Sequence, residues 1–153
     1  MAEKRIVVVR ESDKHGRAQT ITAGPHTFVA GEPQGIGDNT GPTPYDLLLA
    51  AFGACTSMTL RIYADRKNWP LERITVELAH NRVHFNDARN CESTPCMIYR
   101  IERGIHLEGP FTDKERSQLL ELAEKCSAHR TFVGAKEIVT SAVDADQSEP
   151  PSS

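Results

Sequence analysis

The longest apolar stretch of the chain runs from Leu47 to Leu60, is broken only by small polar residues, and closes at Arg61. Its limits are marked by local chemistry. Thr43 carries a hydroxyl that can cap the first amides of a helix, and Pro44 has the fixed φ that suits the first helical position. Asn68-Trp69-Pro70 marks the other end. The Gly-rich segment from Gly31 to Pro42 cannot extend a helix backwards. One long helix is therefore predicted between these limits. The apolar stretch falls short of the roughly 20 residues that a membrane span needs. Apolar side chains occupy nearly every face, which predicts a helix surrounded by protein. A chain of 153 residues offers limited material for such a shell, so a second copy is expected to supply part of it.

The rest of the chain predicts what packs on that helix. Thr112-Asp113-Lys114-Glu115 is a capping-box pattern opening a second helix, on which Leu119, Leu122, Ala123 and Cys126 fall on one stripe. Strands are predicted at Arg5 to Arg10, Gln19 to Thr22, His26 to Ala30, Ile74 to Phe85, Met97 to Leu107 and Glu137 to Val143. Ala23-Gly24-Pro25 is read as a turn between two of them. Strands, long helix, strands, helix, strand is an α+β order rather than a βαβ alternation. With 39% hydrophobic and 25% charged residues, one globular domain over residues 1–143 is expected. The tail over 144–153 lacks apolar anchors and is expected to be disordered. Eighteen Lys and Arg against twenty-one Asp and Glu give a charge of −3. That balance argues against nucleic acid or an anionic membrane as partner, since both reward a concentrated basic surface.

Four cysteines are too few for a disulfide scaffold at this size. Met1-Ala2-Glu3-Lys4-Arg5 leads into a strand-like run rather than an apolar signal core. A reducing, cytoplasmic compartment is expected, with the cysteines as thiols. Cys55 lies near the middle of the long helix and Cys126 near the end of the second. Free cysteine is often simply buried, so position alone does not separate a nucleophile from a core residue. Cys91 and Cys96 share a loop, with His80 and His84 nearby. Cys and neutral His suit zinc, but four residues between the cysteines and no second Cys-x-x-Cys knuckle make a poor zinc signature. A loop pair that can oxidise under stress is the preferred reading. The segment Gly35-Ile-Gly-Asp-Asn-Thr-Gly41 lacks the lysine and following hydroxyl of a phosphate loop. It is read as a connection bordering the pocket.

Two stretches resemble a known family. Gly41-Pro-Thr-Pro-Tyr-Asp-Leu-Leu-Leu-Ala-Ala-Phe-Gly-Ala-Cys55-Thr-Ser-Met-Thr-Leu-Arg-Ile-Tyr-Ala-Asp-Arg-Lys67 is similar to the central helix of the OsmC/Ohr family, the osmotically inducible and organic hydroperoxide resistance proteins. Lys125-Cys126-Ser-Ala-His-Arg-Thr131 resembles that family's second-cysteine motif. The wording is closer to the general OsmC-like branch. The resemblance implies an OsmC-like α+β fold, with antiparallel sheets wrapped around two long central helices in an intertwined homodimer. It also implies a two-cysteine thiol peroxidase acting on organic hydroperoxides. Cys55 would be peroxidatic and Cys126 resolving, their disulfide reset by an external thiol or dithiol, with no cofactor.

That chemistry requires a cation near Cys55, because apolar burial opposes a thiolate. The residues at three and four positions along the helix, Ala51, Phe52, Met58 and Thr59, supply none. Lys14, Arg17, His129 and Arg130 are the candidates. In the hydroperoxidase branch an Arg from the first strand region pairs with a Glu ten residues before the peroxidatic cysteine. Here that position is Tyr45, followed by Asp46, and the nearest cation by turn alignment is Lys14, with Arg17 three residues on. At about 100° per residue, Asp46 falls on roughly the opposite side of a straight helix from Cys55. A lysine also lacks the planar fork of arginine. Two alternatives therefore stay open: an OsmC-fold protein that binds a small ligand or senses redox state without turnover, and a metal-binding protein using Cys91, Cys96 and a histidine.

Overall fold

The structure is a computed structural model and describes residues 5–84 and 97–142. The described elements are β1 (Val7–Glu11), β2 (Gln19–Ala23), β3 (His26–Ala30), α1 (Pro44–Lys67), β4 (Arg73–His84), β5 (Met97–Glu108), α2 (Asp113–Ala123) and α3 (Ser127–Val133). Strands β1, β2 and β3 form one antiparallel sheet in sequence order, and β4 pairs antiparallel with β5. This is the α+β architecture expected. The chain divides into two compact units, Met1–Leu47 with Lys136–Ser153, and Leu48–Ala135.

In the first unit, β2 and β3 are joined through Gly24 and Pro25, with Ala23 opposite His26. Gly24 has φ +59°, which a side chain would resist and a tight hairpin needs. Ile21 and Ala30 are buried, whereas Ile6, Val7 and Val9 near the edge of the sheet are exposed. After β3 the chain doubles back, closed by Asn39 N–H to Glu32 O at 2.9 Å and Gly31 N–H to Pro42 O at 3.0 Å. It then enters α1 through the expected cap. Thr43 Oγ1 accepts from Asp46 N–H at 3.2 Å, and Asp46 Oδ2 accepts from Thr43 N–H at 2.9 Å.

In the second unit, α1 ends where the sequence says it must. Asn68 takes φ +53°. Its N–H bonds Asp65 O and that of Trp69 bonds Ala64 O, the paired bonds of a left-handed helix stop. Arg61 ties the helix to the entry of β4, donating to Leu71 O at 2.5 Å and Glu72 O at 3.1 Å. Trp69 packs edge-on against Tyr63, ring centroids 5.5 Å apart. The core is built from Leu60, Ala64, Leu71, Leu107, Leu119 and Ala123. Gly53 allows close approach of α1 to β4, since a Cβ there would lie 2.7 Å from Leu78 Cδ1. Helix α2 opens on its capping box, with Glu115 N–H to Thr112 Oγ1 at 3.2 Å and Thr112 N–H to Glu115 Oε2 at 2.7 Å.

Three expectations change. Helix α1 is 24 residues long and is, by length and composition, long and apolar enough to cross a membrane. Among the described residues one of its faces is covered, consistent with the expected need for a second copy: Phe52, Gly53, Thr56, Leu60 and Ala64 are buried, while Leu48, Met58 and Ile62 are 44%, 64% and 52% exposed. The second helix stops at Ala123, and Cys126 begins a third rather than ending the second. Residues 137–142 form no strand, and Val143 lies outside the described residues. Ile138 and Val139 are exposed there, because β-branched residues make a strand only where an edge pairs with them.

Candidate functional site

Helix α1 presents three consecutive residues to different surroundings. Thr56 belongs to the buried stripe, Ala54 is exposed, and Cys55 is half-buried between them. Thr56 is wholly buried. Its hydroxyl donates to Phe52 O one turn back at 2.9 Å and lies 3.7 Å from Cys126 Sγ. The candidate second thiol is thus packed against the residue that follows the candidate first one. Both are unbridged thiols.

Cys126 is 1% exposed. It is the N-cap of α3, with extended backbone (φ −63°, ψ 150°), and its sulfur accepts from His129 N–H at 3.3 Å. The His129 ring stands 6.1 Å from that of Phe52, and its Nε2 lies 3.3 Å from Glu124 Oε2. Phe132 packs on Phe52 at 5.0 Å between centroids. The sulfur therefore sits in a junction of α1 with the turn joining α2 and α3.

A cation that the sequence reading passed over completes this junction. Arg103 on β5 donates from Nη1 to Thr56 Oγ1 at 3.1 Å and to Ala123 O at 3.2 Å. Its Nη2 donates to Glu124 Oε1 at 3.0 Å. The guanidinium also lies over the Phe52 ring, 4.8 Å from the centroid. The signal was available: Ile101, Arg103, Ile105 and Leu107 alternate along the inward face of β5, and a charge in an apolar alternation needs a partner.

The other candidates are divided between the two units. Arg130 is exposed on α3. Lys14, Arg17 and Tyr45 belong to the first unit, whereas Cys55, Cys126 and Arg130 belong to the second. Lys14 is exposed in the β1–β2 connection, where Asp13 Oδ1 accepts from His15 N–H and Gly16 N–H. Arg17 lines a cavity of about 280 Å³ with Glu11, Gln19, Gly31, Glu32 and Pro44. Tyr45 is exposed in the first turn of α1. Asp46 serves the helix cap, also accepting from Thr43 Oγ1–H at 2.8 Å. Cys91 and Cys96 lie outside the described residues. His80 is exposed on β4, and among the described residues no cluster of three metal-ligating side chains occurs.

An α+β fold with a long helix beside an antiparallel ribbon carries a cysteine on that helix one residue from a contact with a second. The family model for OsmC-like protein matches residues 37–141. The chain belongs to the OsmC-like family. Comparison with curated proteins gives no match. Solved structures share the fold at low identity. An OsmC-like protein from Mycoplasma pneumoniae is 17% identical, with a TM-score of 0.67 over 88% of this chain and 90% of that one. An organic hydroperoxide resistance protein OsmC from Legionella pneumophila is 15% identical, with a TM-score of 0.62 over 88% and 92%. The organic hydroperoxide resistance protein OhrB of Bacillus subtilis is 19% identical, with a TM-score of 0.58 over 86% and 92%.

Proposed function

We propose that the protein is a cysteine-based hydroperoxide reductase that works as a cytoplasmic homodimer, each chain contributing one domain over residues 1–143. The observation that carries this reading is the 3.7 Å contact between Cys126 Sγ and the hydroxyl of Thr56, the neighbour of Cys55. The organic hydroperoxide resistance proteins among the structural relatives support the substrate class.

In this mechanism the Cys55 thiolate attacks one oxygen of an organic hydroperoxide. The O–O bond breaks, the hydroxyl oxygen stays on sulfur so that Cys55 becomes a sulfenic acid, and the alkoxide leaves as an alcohol by taking a proton from solvent water. The Cys126 thiol displaces the sulfenic hydroxyl as water and forms the Cys55–Cys126 disulfide. A thiol or dithiol then restores both thiols by exchange. Lys14, Arg17, Tyr45 and Arg130 remain the proposed supporting residues.

The exposed face of α1 supports the dimer. Leu48, Ala51, Cys55, Met58 and Ile62 recur at spacings of three and four, the a/d pattern of a helix seam. Four of these five are exposed and Cys55 is half-buried. A seam pairing two copies of α1 would cover the apolar side chains and wall the peroxide site around Cys55.

Peroxide consumption with a dithiol reductant tests the reading. Cys55→Ser should abolish it, and Cys126→Ser should leave one oxidation per chain but no steady turnover. Undiminished turnover by Cys55→Ser would overturn the assignment. A second reading, an OsmC-fold ligand binder or redox sensor without turnover, is favoured by one observation: the Asp46 carboxylate is engaged at the Thr43 cap, and Tyr45 stands where the hydroperoxidase branch has a Glu. It predicts slow stoichiometric oxidation of Cys55 without catalytic peroxide loss.

A further inference from the structure

Arg103 is held as a buried charge must be. Its side chain is 9% exposed, and a guanidinium so placed is costly unless its donors are met. Three acceptors engage three of its five N–H groups, and they lie on α1, on the last carbonyl of α2, and on the turn before α3. Helix α2 has no basic residue in its own last turn, so Arg103 supplies from β5 the positive charge that a helix C-terminus favours. Without it, the Ala123 carbonyl and the Thr56 hydroxyl would lose a charged donor inside the core.

The hydrogens at Thr56 can be counted. A hydroxyl has one hydrogen and two lone pairs. The hydrogen goes to Phe52 O at 2.9 Å, a stronger acceptor at a shorter distance than sulfur at 3.7 Å. Arg103 has only hydrogens to give, so it occupies one lone pair at 3.1 Å. The remaining lone pair faces Cys126, whose S–H is the hydrogen left to fill that contact. The His129 N–H approaches the same sulfur at 3.3 Å. Arg103 thus fixes, through Thr56 and through the end of α2, both surroundings of the sulfur.

The geometry points to Arg103 as the positioning residue of disulfide formation: it parks the Cys126 thiol, through Thr56 and the α2–α3 turn, beside the turn of α1 that carries Cys55. This rests on the peroxidase reading for the identity of the oxidant. The step it serves joins Cys55–SOH and HS–Cys126 to give the disulfide and water. The S–O bond breaks and the S–S bond forms. The hydroxyl leaves with the thiol hydrogen, while the Cys126 sulfur is oxidised by the one equivalent that the Cys55 sulfur gains. Holding the attacking sulfur against the α1 turn that carries its target is a proximity effect. It acts on this half-reaction and not on the attack of Cys55 upon peroxide.

Single-turnover oxidation of the full chain separates the two halves. Arg103→Gln, Arg103→Lys, Thr56→Val and Thr56→Ser are prepared with Cys91 and Cys96 replaced by Ser. Each is mixed with one equivalent of cumene hydroperoxide. Dimedone reports sulfenic acid at Cys55, and peptide mass spectrometry reports the Cys55–Cys126 disulfide. Arg103→Gln and Thr56→Val should oxidise at Cys55 within threefold of the parent rate, accumulate dimedone adduct, and form the disulfide at least tenfold more slowly. Thr56→Ser should recover most of that loss, and Arg103→Lys, which keeps the charge but not the planar fork, a smaller part of it. Parent-rate disulfide formation in folded Arg103→Gln would overturn the inference, as would equal slowing of both halves in every variant. If Arg103→Gln fails to fold, Thr56→Val carries the test by the same two rates. If the parent is inert to hydroperoxide, the peroxidase reading fails and diamide, which takes two hydrogens from a thiol pair, replaces it as oxidant. A tenfold slower diamide-driven disulfide in Arg103→Gln or Thr56→Val then supports the positioning role, and an unchanged rate rejects it.

Discussion

The two faces of α1 are built from similar residues and meet opposite surroundings. One face packs Phe52, Thr56, Leu60 and Ala64 into the chain's own core, with Leu60 and Ala64 wholly buried. The other carries Leu48, Ala51, Met58 and Ile62 in the open. Cys55 lies between them. The difference teaches that the apolar content of this helix exceeds what one chain's core uses, and in the proposed function the surplus covers the site around Cys55. On the account above, the second demand is met by another copy. A half-buried cysteine at such a boundary can be reached by a small oxidant and still be desolvated once the seam closes.

Substitutions on the two faces should therefore fail in different ways. The largest effect on stability belongs to the core face. Leu60→Ala removes a buried side chain that touches the Leu119 and Leu107 cluster and should cost about 2–5 kcal/mol in denaturant unfolding. A loss as small as that of a surface substitution would mean that this face is not the core. Next comes the open face. Met58→Asp should convert a dimer into a monomer at micromolar concentration in sedimentation experiments, with peroxide turnover falling alongside. A dimer that survives with unchanged association would place the interface elsewhere. The smallest effect is at the helix start, where both faces begin. Thr43→Ala removes the reciprocal cap with Asp46 and should cost about 1 kcal/mol, read from the unfolding midpoint, with oligomeric state unchanged.

What the sequence made legible follows the range of the interactions concerned. The caps at Thr43 and Thr112 and the stop at Asn68 are local, set by residues within a few positions, and all three form as read. The hairpin through Gly24 and the alternation of β4 and β5 were legible for the same reason. The site was harder. Cys126 was read on α2 because Leu119, Leu122, Ala123 and Cys126 keep a helical spacing. The chain instead breaks after Ala123, and Cys126 caps α3, a position that Ser, Thr, Asp or Asn more often fills. Arg103 was missed because its partners lie on other elements, as far as 47 positions away in the chain at Thr56. Pattern marks it as a charge out of place on β5, but only the packed structure names its acceptors. Residues 137–142 show the converse: a strand-like composition has no strand without an edge to pair with.

The proposed function requires Cys55 and Cys126 to act as one redox pair. The most direct measurement titrates the fully reduced protein with an organic hydroperoxide and maps every cysteine by peptide mass spectrometry. One equivalent per chain should give the Cys55–Cys126 disulfide as the main product, with Cys91 and Cys96 still reduced. Peroxide loss without that disulfide, or a product linking Cys91 to Cys96 while Cys55 and Cys126 remain thiols, would contradict it.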